Sequence, residues 1–414
     1  MSGDPARDTG RAALVSDELN VRKGWVMEWI DAVFMRGGTS KGLFFDSRDL
    51  PEDVAARDRI FTRVLGSPDP FGRQLDGMGG GVSSLSKIVV VSASDRADAD
   101  IAYTFGQVPV DGTTVDYSGN CGNLSSAVVP FALEAGLLSV EDGPARVVVH
   151  NTNTDALIAV LLHVRGGVAE VAGDLVVPGV AGSGSPIELK YLDAGGSRAD
   201  AILPTERAVD RIDVAVPGIG ERTVEVSLVD VSAPVVFVRA ADVGLTGAES
   251  PEEIDADEDL LALLEGIRRA GTVAMGLAAT PEDSPLAHPK IALVAPPAQT
   301  TLLDGTVVPV EDCDLVTRVL SMGVVHRAIP GTSALCSAAV ARIPGTVVHD
   351  AVTATVTQGS VDSPETGALR IATPSGVVTS AADVRQENGI PQVASASLFR
   401  TARPLMRGQV AVPD

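Results

Sequence analysis

Aromatic residues are scarce in this chain: phenylalanine, tryptophan and tyrosine together make up 3% of its 414 residues. Few rings are therefore available for stacking on bases, and the formal net charge of -22 repels phosphate backbones and anionic lipid surfaces. We expect no nucleic-acid partner and no membrane partner. An anionic small molecule would also be repelled unless its site concentrates cations, so basic residues in polar loops are informative.

Cysteine and histidine are rare as well. The three cysteines, Cys121, Cys313 and Cys336, provide no disulfide framework and no Cys-x-x-Cys spacing, and the five histidines show no metal-ligand spacing. The sequence therefore predicts no metal site and no cofactor. No apolar run is long enough to span a bilayer, and the first residues lack the apolar core of a signal peptide, so we expect a cytoplasmic protein.

Strand-like segments and two helices rich in small residues organise the remainder. The predicted helices 124–138 and 333–343 each follow a polar turn with glycine second, Cys121-Gly122-Asn123 and Pro330-Gly331-Thr332. This parallel predicts an α/β (α+β) fold of two similar lobes with a shared cleft. Residues 1–24 are predicted to be a mobile extension, 25–192 the first lobe with strand 393–414 returning to it, and 193–392 the second lobe. An amphipathic helix is predicted over 251–277.

Three loops combine glycines, hydroxyls and one cationic or reactive side chain: MRGGTSKGLFF (35–45), DGMGGGVSSLSKIVVVS (76–92) and YSGNCGNLSSA (117–127). Such loops can present several backbone N–H groups to one carboxylate. None has the spacing of a Walker A or dinucleotide-binding fingerprint, so we exclude nucleotide binding. Each loop alone is equally well explained as a tight turn, but three with matching chemistry favour a small-acid site.

Cys121 and Lys87 are the candidate proton-transfer groups. Cys121 precedes a predicted helix start, where free N–H groups and the helix dipole favour thiolate, and the flanking glycines place it on a turn. The alternative is an inert buried cysteine. Lys87 leads into the apolar run IVVV, where partial desolvation would make its neutral form accessible. The alternative there is a fixed positive charge that pairs a substrate carboxylate. We interpret Cys313 and Cys336 as structural.

Taken together, MRGGTSKGLFF, GGGVSSLSK, SGNCGN and RTARPLMRGQV resemble the PrpF-type family of methylaconitate isomerases, within the diaminopimelate-epimerase-like superfamily. The resemblance covers the chain from about residue 26. It implies two lobes, each a curved, mostly antiparallel sheet around a central helix. In the superfamily's epimerases two cysteines face the substrate. Here the second of those positions corresponds to Pro330, which argues against an epimerase, and the resemblance implies Lys87 as the partner of Cys121.

The resemblance also implies substrate-binding residues in both lobes. They are Arg36, Thr39, Ser40, Ser84, Ser86, Asn120, Gly122, Asn123, Gly331, Thr332 and Ser375. Structural alternatives stay open: Ser84 and Ser86 would also suit the cap of a turn, and Arg36 would suit the surface. We expect Arg400 and Arg403 to tie the returning C-terminal strand to the first lobe.

The expected activity is a cofactor-independent proton shift on an unsaturated tricarboxylate such as 2-methylaconitate or aconitate, by cis/trans or allylic isomerisation. Two groups that exchange protons near neutral pH suffice for this chemistry. Two alternatives remain open: a 4-oxalomesaconate-type keto-acid tautomerase, and a non-catalytic accessory protein of the same fold. The expected partner is a small anionic di- or tricarboxylate, and a homodimer is left open.

Overall fold

The computed structural model describes residues 27–216, 220–352, 368–387 and 389–413. The predicted extension 1–24 lies outside them. The strands in the first half of the chain are β1 (Glu28–Gly37), β2 (Ser40–Asp46), β3 (Lys87–Ala93), β4 (Ile101–Gln107), β5 (Gly143–Asn151), β6 (Ala156–Arg165), β7 (Val168–Ala169), β8 (Leu175–Val176), β9 (Ser183–Gly184) and β10 (Ile187–Leu192).

The strands in the second half are β11 (Asp210–Val216), β12 (Gly220–Val231), β13 (Ala233–Arg239), β14 (Lys290–Ala295), β15 (Thr300–Thr301), β16 (Val307–Val308), β17 (Leu315–Ser321), β18 (Val324–Val325), β19 (Leu369–Thr373), β20 (Gly376–Glu387), β21 (Ile390–Arg400) and β22 (Ala402–Val412). The α-helices in the described residues are α1 (Val54–Leu65), α2 (Val128–Glu134), α3 (Pro251–Asp255), α4 (Glu258–Ala274), α5 (Gly331–Val340) and α6 (Val347–Ala351).

Strand pairing follows one order twice. In the first half β1 pairs antiparallel with β2, β2 parallel with β3, β3 antiparallel with β4, β4 parallel with β5, and β5 antiparallel with β6. In the second half β12, β13, β14, β17, β19 and β20 repeat this alternation. Helices α1 and α4 occupy the first parallel connection of each set, and α2 and α5 the second. The predicted two-lobed fold is confirmed.

Each lobe has an inner and an outer helix. Phe131 of α2 packs with Val89 and Tyr103 on the inner face of the first sheet, while α1 covers the outer face. In the second lobe the alanine-rich α5 packs inside the sheet, and α4 covers the outside. Small residues let α5 lie close to the surrounding strands, which compensates for the scarcity of aromatic side chains.

Two predicted helices differ in detail from the structure. Segment 124–138 begins as a 3₁₀ turn, Leu124–Ala127, and continues as α2, with Pro130 in the first α-helical turn, where its missing N–H is tolerated. The single helix predicted over 251–277 is wrong. It is divided into α3 and α4 because Asp257 adopts an extended backbone and its side chain caps α4 by accepting from the N–H of Leu260.

The lobes are joined through strands. β10 pairs with β6 on one side and with β21 on the other, and β22 pairs along β1, with Glu28 opposite Val412. The precise lobe boundaries at 192/193 and 392/393 stay a prediction. No α-helix in the described part of the chain is both long enough and apolar enough to cross a bilayer.

Candidate active site

The β1–β2 hairpin lies directly on the turn that contains Cys121. Gly37 pairs with Ser40, so Gly38 and Thr39 form the hairpin loop. A Cβ on Gly37 would lie 2.5 Å from the carbonyl oxygen of Asn123, and one on Gly38 would lie 2.3 Å from its Oδ1. Gly38 also has φ +49°. Only glycine permits both this conformation and this close approach.

Cys121 is the least buried of the three cysteines. It is half-buried, its Sγ lies 3.9 Å from Oγ of Ser40, and its carbonyl accepts the N–H of Ser125 at 3.0 Å, which begins the helical turn. Cys313 and Cys336 are buried, and burial raises the pKa of both thiols. The sequence distinction between a thiol on a turn and two core thiols is therefore matched by the geometry.

Lys87 begins β3 and points to the same inner face as Val89, with 8% of its surface exposed. Its Nζ donates to Oε1 of Gln107 at 2.5 Å and lies 5.0 Å from the ring centre of Phe105. Burial lowers the pKa of Lys87, and the electrostatic influence of Cys121 offsets part of that decrease. Within the described residues Lys87 has no carboxylate partner at ion-pair distance.

Gln107 is a site residue that the sequence analysis missed. Besides accepting from Lys87, it donates through Nε2 to the carbonyls of Ser86 (2.8 Å) and Ser83 (3.2 Å). One neutral amide therefore fixes both the lysine and the loop before it. Its only sequence signal was its position at the end of β4, directly opposite Lys87 in the antiparallel pair.

The predicted serines of this loop separate into two environments. Ser84 is half-buried in the turn Ser83–Leu85. Ser86 is fully buried, and its hydroxyl donates to the carbonyl of Val108 and accepts from Gln74, both at 2.7 Å. The hydroxyl of Ser86 thus holds the glycine loop in place, as the structural alternative expected, and is not directed to a ligand.

The side chains that flank Cys121 are organised by neighbouring polar groups. Asn123 donates through Nδ2 to Thr39 at 2.9 Å, and Asn120 accepts the hydroxyl of Tyr103 at 3.0 Å. Gly122 leaves room for a second phenol, since a Cβ there would lie 3.0 Å from the hydroxyl oxygen of Tyr191. Burial raises the pKa of Tyr191 to about 12, so this phenol keeps its proton at neutral pH.

Arg36 and Arg400 both bond to backbone or side-chain groups around the Cys121 turn and the hairpin loop. Arg36 donates through Nη1 to the carbonyls of Gly38 (3.0 Å) and Thr401 (2.9 Å), so it ties the hairpin loop to the C-terminal segment. Arg400 does bond to the first lobe, but it does so by donating from Nε to Oδ1 of Asn123 at 3.0 Å, beside the catalytic candidate. Arg403 is exposed.

In the second lobe, Gly331 and Thr332 form the first turn of α5. Pro330 precedes them and provides no side-chain cap, and the buried hydroxyl of Ser333 has no hydrogen-bond partner in the described structure. This helix start therefore has unsatisfied donors suited to an anion. Ser375 lies in the β19–β20 hairpin and donates to the carbonyl of Arg327 at 2.5 Å, which orders the approach to α5.

The repeat also gives Lys87 a counterpart. Lys290 begins β14, the strand that corresponds to β3, and it lies on the inner face with Ala292. Burial lowers the pKa of Lys290, of His326 and of His288, which falls to about 4. Nδ1 of His288 has no hydrogen-bond partner among the described residues. No group of three or more His, Cys, Asp or Glu side chains in the described ranges is arranged to hold a metal ion.

The family model described as PrpF protein matches residues 27–413. The chain belongs to the PrpF family. It is 39% identical over 388 residues to the 3-methylitaconate isomerase of Eubacterium barkeri, covering 92% of this chain and 97% of that protein. It is 38% identical over 397 residues to the 2-methyl-aconitate isomerase of Shewanella oneidensis, covering 93% and 97%.

A solved structure supports the PrpF assignment. The crystal structure of a methylitaconate-delta-isomerase superposes with a TM-score of 0.83 at 38% identity, covering 93% of this chain and 96% of the other. With relatives named as isomerases over almost its whole length, this PrpF protein is an isomerase. The alternative of a non-catalytic accessory protein is thereby set aside.

Proposed function

We propose that this isomerase moves a proton within an unsaturated di- or tricarboxylate such as 2-methylaconitate or aconitate, with Cys121 and Lys87 as the acid/base pair. The observation that carries the proposal is the environment of Lys87: a buried ammonium group, bonded to a neutral amide, within electrostatic reach of a half-buried thiol. Two groups that can exchange protons therefore share one inner face. The names of the relatives support the same substrate class.

The reaction conserves atoms. One of the two groups removes a proton from the carbon that is acidified by a carboxylate through the double bond, and the electron pair of that C–H bond enters the allylic system. If a proton is then delivered to the other end of the allylic system, one C–H bond breaks, a different one forms, and the double bond shifts. If the anion first rotates about the former double bond and a proton returns to the original carbon, the double bond is regenerated with the other geometry. Both groups recover their starting protonation states after the reverse transfer or exchange with water.

The extended anion formed between these steps requires stabilisation. The half-buried turn Cys121-Gly122-Asn123 and the first turn of α5, with Gly331, Thr332 and the unpartnered hydroxyl of Ser333, supply donors for its carboxylates. Donors fixed before the reaction stabilise developing charge more effectively than water does, because they need little reorganisation. We include Thr39, Ser40, Ser84 and Asn120 in the proposed pocket. The hydroxyl of Ser86 is excluded.

The test is a panel of unsaturated acids followed by NMR in D₂O, with EDTA present and no nucleotide added. The panel contains cis- and trans-aconitate, 2-methylaconitate, 3-methylitaconate-type diacids and a 4-oxalomesaconate-type keto acid. We expect double-bond movement with deuterium incorporation for at least one acid without the keto group. Conversion of the keto acid alone would replace the proposed reaction with the tautomerase alternative.

The matched variant for this panel is Cys121→Ser, with Cys313→Ser as its control. Because a hydroxyl at this position does not ionise near neutral pH, Cys121→Ser should lower kcat by about 100-fold or more while the circular dichroism spectrum stays unchanged. Activity of Cys121→Ser within about tenfold of wild type would remove Cys121 from the acid/base pair.

A further inference from the structure

We propose that Arg400 binds a carboxylate of the substrate, namely the one attached to the carbon system that Cys121 and Lys87 protonate and deprotonate. The inference rests on the proposed isomerase function and names the feature of the acid that the site selects. It changes the role of Arg400 from a strand tie to a substrate-binding residue.

The guanidinium of Arg400 is fixed beside the turn that carries Cys121. It is the last residue of β21, and its guanidinium donates from Nε to Asn123 at 3.0 Å and from Nη1 to the carbonyl of Phe399 at 2.8 Å. The side-chain Cδ lies near the hairpin loop, 3.0 Å from where a Cβ of Gly38 would be. The guanidinium is therefore held on two sides, next to the turn that carries Cys121.

Arg400 has N–H donors that bond to no described residue. A guanidinium has five N–H groups, and the two bonds of Arg400 use two of them. Nη2 has no hydrogen-bond partner in the described residues, and Arg400 is half-buried. A planar pair of free N–H groups in a fixed position is the geometry that binds a carboxylate through both oxygens.

Arg400 has no carboxylate partner among the described residues. Burial lowers the pKa of Arg400, while the electrostatic influence of Tyr191 and Cys121 acts in the opposite direction. No Asp or Glu among the described residues lies at ion-pair distance from it. A desolvated cation without an anion is costly, in a chain whose net charge is -22. A substrate carboxylate would supply the absent partner.

The neighbouring cations are less suitable for this task. Nη1 of Arg36 donates to two carbonyls, and the pKa of this guanidinium is lowered by burial and by Arg403. Nζ of Lys41 lies 5.6 Å from the ring centre of Phe34. Of the two arginines Arg36 and Arg400, only Arg400 has a pKa that Cys121 influences. Its Nη2 is also free to donate to a ligand. As the substrate ionises, charge spreads onto the adjacent carboxylate, and Arg400 stabilises it more strongly than in the starting acid.

The experiment compares Arg400→Gln and Arg400→Lys with Arg403→Gln, an exposed arginine three residues further along. Steady-state kinetics use the acid identified by the panel and its mono-amides, in which one carboxylate at a time becomes a primary amide. We expect Arg400→Gln to lower kcat/KM for the acid by about 10- to 100-fold, and Arg403→Gln to leave it unchanged. For one mono-amide, kcat/KM of wild type and of Arg400→Gln should agree within about threefold. In that compound the carboxylate that Arg400 binds is already replaced, so removing Arg400 costs little more.

A purely structural role gives a different pattern. If Arg400 only positions Asn123 and Cys121, Arg400→Gln would reduce activity by the same factor for the acid and for every mono-amide, and the inference would fail. Added guanidinium chloride should restore part of the activity of Arg400→Gln but not that of Cys121→Ser. A KM and kcat for Arg400→Gln that both match wild type would also overturn it.

A binding assay separates this inference from the proposed reaction. Tricarballylate, a saturated tricarboxylate, should slow the alkylation of Cys121 by iodoacetamide in wild type and in Arg403→Gln, and should do so at least about tenfold less effectively in Arg400→Gln. This result would support Arg400 as a carboxylate-binding residue even if no acid in the panel were isomerised. Equal protection in Arg400→Gln, or none in wild type, would refute the role.

Discussion

Lys87 has unusual neighbours for a lysine: a neutral amide, an aromatic ring and a thiol. Each of them tolerates the ammonium form without binding it as firmly as a carboxylate would. The cost of burying the positive charge therefore outweighs these contacts, and the pKa of Lys87 lies below its ordinary value. The neutral amine becomes accessible closer to neutral pH, which is the property that a proton-transfer group requires.

Lys87→Arg separates a proton-transfer role from a fixed positive charge. Arginine keeps the charge but does not release its proton near neutral pH, so the variant should still bind tricarballylate while kcat and solvent-deuterium exchange fall by about 100-fold or more. Binding is measured by protection of Cys121 from alkylation, and Lys190→Arg is the control. Substantial turnover in a folded Lys87→Arg protein would show that Lys87 is an electrostatic clamp only.

Gln107→Glu tests whether the neutral amide sets the pKa of Lys87. A carboxylate in place of the amide would stabilise the ammonium form and raise the pKa of Lys87. In the direction in which Lys87 accepts the proton, the acidic limb of the pH profile of kcat/KM should move to higher pH. Gln107→Leu removes the amide without adding charge and should not move that limb upward. An unchanged limb in Gln107→Glu would exclude this role.

Among the elements, the β1–β2 hairpin matters most to the site, because its loop packs on the Cys121 turn. Thr39 and Arg400 both bond to the side chain of Asn123, so this side chain cannot easily move away from the hairpin. Gly37 and Gly38 are thus required by the contact between two elements and not by the hairpin alone.

Gly38→Ala should therefore lower the free energy of unfolding by more than the unfavourable backbone conformation alone would. Gly166→Ala is the matched control, since Gly166 also has positive φ (+64°) but a Cβ there would meet nothing within 4 Å. We expect Gly166→Ala to lower the free energy of unfolding by about 1–2 kcal/mol with normal activity. Gly38→Ala, whose Cβ would lie 2.3 Å from Oδ1 of Asn123, should lose more stability and most of its activity. Urea unfolding and kcat/KM measure both, and equal behaviour of the two variants would contradict the packing argument.

The sequence predicted those elements whose signal is local. Apolar periodicity indicated the strands, and the glycine-flanked Cys121 indicated a reactive turn. Gln107 was missed because its role comes from strand register, and the bond between Arg400 and Asn123 was not predicted because no local pattern encodes a contact between positions 123 and 400. The division of the 251–277 helix escaped prediction because Asp257 reads equally well as an acidic residue in a first turn and as an N-cap.

At the scale of the whole molecule, the repeated strand order places comparable residues at comparable positions in each lobe. Lys87 and Lys290 both begin the strand that follows the outer helix, and both point to the inner face. Cys121 precedes the inner helix α2, whereas Pro330 precedes α5. The first lobe therefore carries the thiol, and the second keeps a lysine and a helix start. We expect the second lobe to contribute to substrate binding and not to proton transfer.

Lys290→Gln tests whether the second lobe contributes a cation to substrate binding. Because burial lowers the pKa of Lys290, the folded protein binds its proton more weakly than the unfolded chain does, and the charge opposes folding at neutral pH. This cost is full below the lowered pKa and disappears as pH rises towards the ordinary pKa of lysine. Lys290→Gln should thus keep or raise Tm at pH 7, while KM rises on the order of tenfold because a carboxylate loses its cation.

The control is Lys190→Gln, which removes a lysine from β10 for which neither effect is expected. Deuterium exchange at saturating acid should persist in Lys290→Gln, because Cys121 and Lys87 remain intact. A lower Tm with unchanged KM would identify Lys290 as a structural residue of β14. The repeat would then be a shared architecture in which only the first lobe, with Arg400, provides the cations for the substrate.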